Sequence, residues 1–332
     1  MSQAKYKILG LGTPVIDHIL RVSQSYLDEL PGKKGGMLPV DIETFRHILE
    51  TSHVPDVIMP GGSCANAIRG LAMLGHSCAF MGKIGRDLAA DHFYKELKRL
   101  HITPLLLAAK ENTAQVISLV GPDGQRTMRT LLSASREMTA SDLAPNYFIG
   151  AKLFHVEGYT LLNGGLTKKA MKLAKNARAS ISFDIGSFEM AEQYRDQIIT
   201  LLRDYVDIVF ANDIETLTLT QKSSLEEGCI FLKNLCKVAV VMKGKKGCLV
   251  GSAKGIIEGS SFPIEHPIDT TGAGDFFASG FLHGYLSGWP LENSARLGAL
   301  LGAAAVQVIG ATIPNDQLEN IKKEMVVKKS SQ

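Results

Sequence analysis

Ile268-Asp269-Thr270-Thr271-Gly272-Ala273-Gly274-Asp275-Phe276-Phe277-Ala278-Ser279-Gly280-Phe281 is the stretch on which the reading of this chain turns. It begins as a polar turn, passes two glycines around an alanine, sets down an acid and runs into an apolar, helix-like segment. A loop of that composition aims several backbone N–H groups at one point just before a helix starts. Such a point suits an anion, because orphan amides and the positive end of the helix dipole act together. Glycine lets the backbone turn tightly and approach a ligand closely. Asp275 is repelled by that anion unless it acts on another group, and taking a proton from an attacking hydroxyl is a natural role. Taken alone, it reads first as an ordinary helix cap.

Outward from this stretch, the chain alternates strands at about 152–157, 180–185, 206–211 and 238–242 with helical stretches 164–178, 189–204 and 224–236. That alternation argues for a mostly parallel sheet covered on both faces. Ligands in such sheets sit beyond the carboxyl ends of the strands, where Glu157, Asp184, Asn212, Glu215, Gly244 and Gly247 all fall. Nearer the N-terminus, residues 5–12 read as a first strand and Asp17 interrupts the apolar run 14–20. Gly61-Gly62 forms a second glycine turn entering a small-residue helix, with Asn66 in its first turns. Residues 79–85 read as a strand and Asp87–Leu100 as an amphipathic helix. Two β-rich pieces, 13–42 and 102–132, the latter folded about the turn Gly121-Pro122-Asp123-Gly124, are expected to pair into one small sheet over the mouth of the site.

The chain has 332 residues, 45% hydrophobic and 21% charged, with a net charge of +3. This composition suits a globular protein and points to neither a nucleic-acid partner nor a membrane surface. Five cysteines form no C-x-x-C pair, and with no leader or spanning segment in view a reducing, cytoplasmic setting is expected. There is no G-x-x-x-x-G-K-[ST], and Gly10-x-Gly12 continues into Thr13-Pro14 rather than a dinucleotide fingerprint. Asn212 and Glu215 offer hard oxygen ligands suited to Mg²⁺, although the same pair serves equally as a capping box at a helix start.

Together these elements resemble the ribokinase/PfkB family of carbohydrate and nucleoside kinases, over nearly the whole chain. The D-T-x-G-A-G-D signature is matched by Asp269 to Asp275, G-G-x-x-x-N by Gly61, Gly62 and Asn66, N-x-x-E by Asn212 and Glu215, and the glycine-containing nucleotide turn by Gly244 and Gly247. The resemblance implies a doubly wound α/β domain (1–12, 43–101 and 133–332) with a small β lid (13–42 and 102–132). It implies Asp275 as catalytic base and the amides of Gly272, Ala273 and Gly274 as anion hole. Asp17, Gly61, Gly62, Asn66 and Glu157 would serve the substrate, with Arg126 swinging from the lid. Lys243, Gly244, Gly247, Asn212 and Thr271 would border ATP, with Asn212 and Glu215 organising Mg²⁺ mostly through water. Asp269, with the loop 309–312, is a candidate for K⁺.

Ser63 stands where relatives that take ribose or phosphorylated sugars often carry Lys, which favours an uncharged hydroxylated acceptor. The segments 61–66, 122–128 and 156–159 are similar to the adenosine-kinase-like branch. The expectation is therefore an ATP- and Mg²⁺-dependent kinase acting on a nucleoside, adenosine foremost, working as a monomer or a lid-mediated homodimer. A free-sugar kinase is the alternative, and a non-catalytic ligand sensor on the same scaffold a more distant one. Met242-Lys243 departs from the Thr-Leu pair common in the nucleotide turn.

Overall fold

Runs such as Ile208-Val209-Phe210-Ala211 and Val238-Ala239-Val240-Val241 are apolar throughout, as a strand covered on both faces requires. Every one of those residues is buried in the computed structural model, which describes residues 6–31, 34–259 and 261–329. Residues 1–5, 260 and 330–332 of the expected large domain, and 32–33 of the expected lid, lie outside the described residues.

The nine-stranded sheet runs in the spatial order Gly255–Gly259, Cys248–Ser252, Val238–Met242, Ile208–Asn212, Ser180–Asp184, Leu153–Glu157, Ile8–Leu11, Cys78–Ile84, Thr103–Ala108. Its pairings are parallel except those of Cys248–Ser252, which is antiparallel to both neighbours. Alternate residues face opposite layers. Ile8, Phe80, Phe210 and Val240 join a core with the helices Ser63–Met73 and Ala273–Leu286. Leu9, Met81, Val209 and Val241 face the helices Leu166–Asn176 and Arg195–Asp204. The fold is therefore the mostly parallel sheet covered on both faces that the alternation implied, doubly wound as the resemblance implied.

A smaller five-stranded sheet runs Met37–Pro39, Arg126–Leu131, Ala114–Val120, Val15–Arg21, Val57–Gly61. Both β-rich segments contribute, as expected, with three differences. Thr103–Ala108, expected in the lid, pairs parallel with Cys78–Ile84 at the edge of the large sheet, because the intervening helix Leu88–Arg99 makes it the return strand of a crossover unit. Val57–Gly61, expected in the large domain, pairs antiparallel with Val15–Arg21 and so carries the glycine turn to Asp17. The helix Ile42–Thr51 packs Phe45 and Ile48 on the outer face of the small sheet against Leu20, Ile117 and Leu119. Elsewhere the single helix expected at 189–204 is broken at Tyr194 into Phe188–Gln193 and Arg195–Asp204. Among the described residues no helix is long and apolar enough to cross a membrane, and the cysteines are free thiols.

Candidate active site

Adjacent parallel strands of the large sheet end on Glu157, Asp184, Asn212 and Met242. Facing these ends is the helix Ala273–Leu286, with Asp275 in its first turn. Its N-cap, Gly272, is left-handed at φ +76°, and a Cβ there would sit 2.6 Å from the Ala311 methyl, so glycine is required twice over. No side chain caps this helix. The Ala273 N–H, expected in the anion hole, turns back to the Thr270 carbonyl at 3.3 Å. The first-turn amides of Gly274 and Asp275 have no acceptor inside the helix and are available to an anion.

Asp275 is held on both oxygens. Ser63 Oγ donates to Oδ1 at 2.8 Å and Asn66 Nδ2 donates to Oδ2 at 2.9 Å. Both donors lie in the first turn of the helix Ser63–Met73, which the chain enters through Gly61-Gly62. Gly62 takes φ +102°, and a Cβ on it would meet the Thr13 carbonyl at 2.4 Å. A Cβ on Gly61 would lie 2.0 Å from Asp17 Oδ2, so the Asp17 carboxyl rests directly against that backbone. The structure thus brings Asp17, Gly61, Gly62, Asn66 and Asp275 together.

Burial raises the pKa of Asp275, opposed first by the charge of Arg126, then by the Asn66 and Ser63 hydrogen bonds and by Arg69. Asp17 is pushed up to about 7, chiefly by burial, with Asp269 and Asp275 adding to the rise and Arg126 opposing it. The charge of Arg126, at the start of a lid strand, also opposes the rise that burial gives the Glu215 pKa. Its positive charge therefore acts on the acids at the mouth.

Glu157 is placed otherwise than the resemblance implied. Its Oε1 accepts from the Thr13 N–H at 2.7 Å and its Oε2 from the Cys64 N–H at 2.8 Å. Both oxygens face backbone, fastening the loop after the first strand to the start of the helix Ser63–Met73. Burial nonetheless pushes its pKa to about 7.

Asn212 and Glu215 form a full capping box: Glu215 N–H donates to Asn212 Oδ1, and Asn212 N–H and Nδ2 donate to the Glu215 oxygens, each at 2.8 Å. Burial raises both Glu215 and the neighbouring Asp184, whose pKa climbs further because Glu215 and Asp275 face it. Such a pair of buried acids fits a cation held at a distance. Among the described residues no group of three or more His, Cys, Asp or Glu side chains is placed to hold a metal ion.

Asp269 accepts from Thr271 N–H at 2.8 Å, Thr271 Oγ1 at 2.6 Å and Gly310 N–H at 2.7 Å. Ala311 O, in the loop considered for K⁺, accepts from Arg69 at 3.1 Å, so the Asp269 carboxylate and this carbonyl both carry hydrogen bonds from inside the chain. Lys243 pairs with Glu258 at 3.3 Å, and Gly244 and Gly247 sit at positive φ in the turn that follows. Met242 Cε lies 3.5 Å from where a Cβ on Gly274 would be, so this turn adjoins the anion turn.

Sequence reasoning passed over Ser63 as a partner of Asp275, and Arg69 altogether. The available signal was spacing: Arg69 follows Asn66 by one helical turn and shares its face.

A family model described as pfkB family carbohydrate kinase matches residues 50–318. The chain is 29% identical over 271 residues to a cytidine kinase of Thermococcus kodakarensis, covering 78% of this chain and 93% of that one. It is 29% identical over 274 residues to a probable fructokinase-7 of Arabidopsis thaliana, covering 76% and 78%. Among solved structures, the adenosine kinase from Sinorhizobium meliloti matches with a TM-score of 0.90 at 29% identity, covering 97% of this chain and 100% of that one.

Proposed function

Since this chain belongs to the pfkB family of carbohydrate kinases, we propose that it transfers the γ-phosphoryl group of ATP to the primary hydroxyl of a nucleoside, adenosine foremost. The observation that carries this reading is Asp275, gripped by Ser63 and Asn66 from the side of the Gly61-Gly62 turn while sitting in the first turn of the helix that offers amides to an anion. The acceptor lies against Gly61, Gly62 and Asp17, with its hydroxyl toward Asp275. The phosphoryl group lies at the first-turn amides of Gly274 and Asp275, under the positive helix end. Asp275 accepts the hydroxyl proton as the oxygen attacks phosphorus, while Arg126 offsets developing charge from the lid. Positioning and electrostatics supply most of the acceleration in such transfers.

The family implies ATP and usually Mg²⁺. Asn212 and Glu215 would hold the metal through water, and it would supply charge neutralisation at the phosphates. No step is assigned to K⁺. Lys243, Gly244 and Gly247 border the nucleotide. An uncharged acceptor is favoured because Ser63, the residue after the glycine pair, carries no charge and is turned to Asp275.

A free sugar is the second reading, favoured by the 29% identity to a probable fructokinase-7. Initial rates of ADP formation with Mg²⁺-ATP and a panel of nucleosides and free sugars separate the two. Turnover with adenosine and none with fructose supports the nucleoside, the reverse supports the sugar, and no turnover with any acceptor overturns the phosphotransfer reading.

A further inference from the structure

We propose that Arg69 is a positioning residue for phosphoryl transfer: from inside the fold it fixes which way the Asn66 amide faces, and so what Asp275 meets. The proposal rests on the kinase reading given above. Arg69 is only 4% exposed. Its Nη1 donates to Asn66 Oδ1 at 3.0 Å and to the carbonyls of Pro60 and Ala311, each at 3.1 Å. Its Nε and Nη2 reach Glu96 Oε1 at 3.1 and 2.9 Å, and Glu96 is held in turn by Arg99.

A guanidinium carries donors and no acceptor. The Asn66 atom facing it must therefore be the amide oxygen, which leaves Nδ2 to donate to Asp275 at 2.9 Å. Without Arg69 the amide oxygen has no donor and the side chain is anchored by Asp275 alone, so it is free to swing off the carboxylate. Asp275 would then lose a donor that favours its ionised, proton-accepting form.

The other two bonds of Nη1 reach both flanks of the site. Pro60 precedes the Gly61-Gly62 turn, and Ala311 lies beneath Gly272 at the anion turn. One buried cation thus ties together the acceptor turn, the partner of the base and the support of the anion turn. A buried charge of this kind is tolerated only when paired, and Glu96 supplies the pairing from the far side of the site.

The test compares Arg69→Met, Arg69→Lys and Glu96→Gln by the pH profile of kcat, by KM for ATP, and by carbon-13 NMR titration of the Asp275 carboxyl, assigned with Asp275→Asn. Arg69→Met is expected to lower kcat roughly 10²-fold, the scale of a small misplacement at a reacting centre, with KM for ATP little changed and the acid limb moved to higher pH. Arg69→Lys keeps the buried charge and recovers part of the rate. Glu96→Gln lowers thermal stability and leaves the acid limb in place, because the bonds to Asn66, Pro60 and Ala311 survive. An acid limb unmoved in both Arg69 variants overturns the proposal, as does a Glu96→Gln variant that reproduces the rate loss and the limb shift. If the wild type forms no ADP with any acceptor, the kinase reading falls by itself. The carboxyl titration then decides: because the Arg69 charge itself lowers the Asp275 pKa, a rise on Arg69→Met that is smaller when Asn66 is already replaced by Ala upholds its positioning of Asn66, and an equal rise in both backgrounds refutes it.

Discussion

The carbonyl oxygen of Gly124, at the tip of the lid hairpin, accepts two hydrogen bonds from Thr270 in the anion turn, from the backbone N–H at 3.2 Å and from Oγ1 at 3.1 Å. The lid therefore rests on the loop that would cradle the transferred phosphoryl group, two residues before Gly272. Closure and the shape of the anion site are linked through one carbonyl.

Replacing Gly124 tests that link. It sits at φ +75°, and a Cβ would lie 2.8 Å from the Pro267 carbonyl. Gly124→Ala is expected to strain the docked hairpin by about 1–3 kcal/mol and to loosen closure. Water then competes with the acceptor, and the ratio of ADP formed to acceptor phosphorylated rises above that of the wild type. A ratio equal to the wild type would mean that this contact does not guard the site.

Glu157 was expected on the substrate side, but its oxygens face the Thr13 and Cys64 amides. Glu157→Gln turns an NH₂ toward one of these donors and leaves a buried N–H unpaired, at a cost of about 1–3 kcal/mol. The expected result is a lower melting temperature together with a higher KM for the acceptor. A variant of wild-type stability with only the acceptor KM changed would return Glu157 to direct substrate contact.

Glu215→Gln disturbs the capping box and removes a buried negative charge beside Asp184. More Mg²⁺ should then be needed for half-maximal rate. An unchanged Mg²⁺ titration would count against the metal assignment.

The buried acids also set a pH dependence of stability. Asp17 and Glu157 are pushed up to about 7, above the values near 4 that such groups have in an unfolded chain. The folded state binds more protons between those limits, so this contribution is fully present below about pH 4 and is lost as pH rises through about 7. The melting temperature of the ligand-free protein should fall across that interval, and Asp17→Asn should flatten the decline. An equal slope in wild type and variant would remove Asp17 as a source.

Much of this was legible because turns and caps are local chemistry. The anion turn, the Gly61-Gly62 turn and the Asn212–Glu215 box each need particular residue types at fixed spacing, and strand–helix alternation by itself implies a parallel sheet. Pairing partners are not local. Nothing within Thr103–Ala108 or Val57–Gly61 says which sheet each will join, and the structure puts both in the sheet not expected. The same limit hid Arg69, whose partner Ala311 is 242 residues away. It also hid the direction of Glu157, which depends on backbone N–H groups left open by two separate loops. Legible residues were those whose role follows from their neighbours in sequence; the rest depend on neighbours made by folding.

The most direct measurement is ADP formation from Mg²⁺-ATP with adenosine as acceptor, wild type against Asp275→Asn, with ATP binding titrated in both. The expected result is turnover in the wild type, a loss of roughly 10²- to 10⁴-fold in the variant, and nearly equal affinity for ATP. Substantial phosphorylation remaining in Asp275→Asn would remove Asp275 as the proton acceptor and contradict the arrangement built around it.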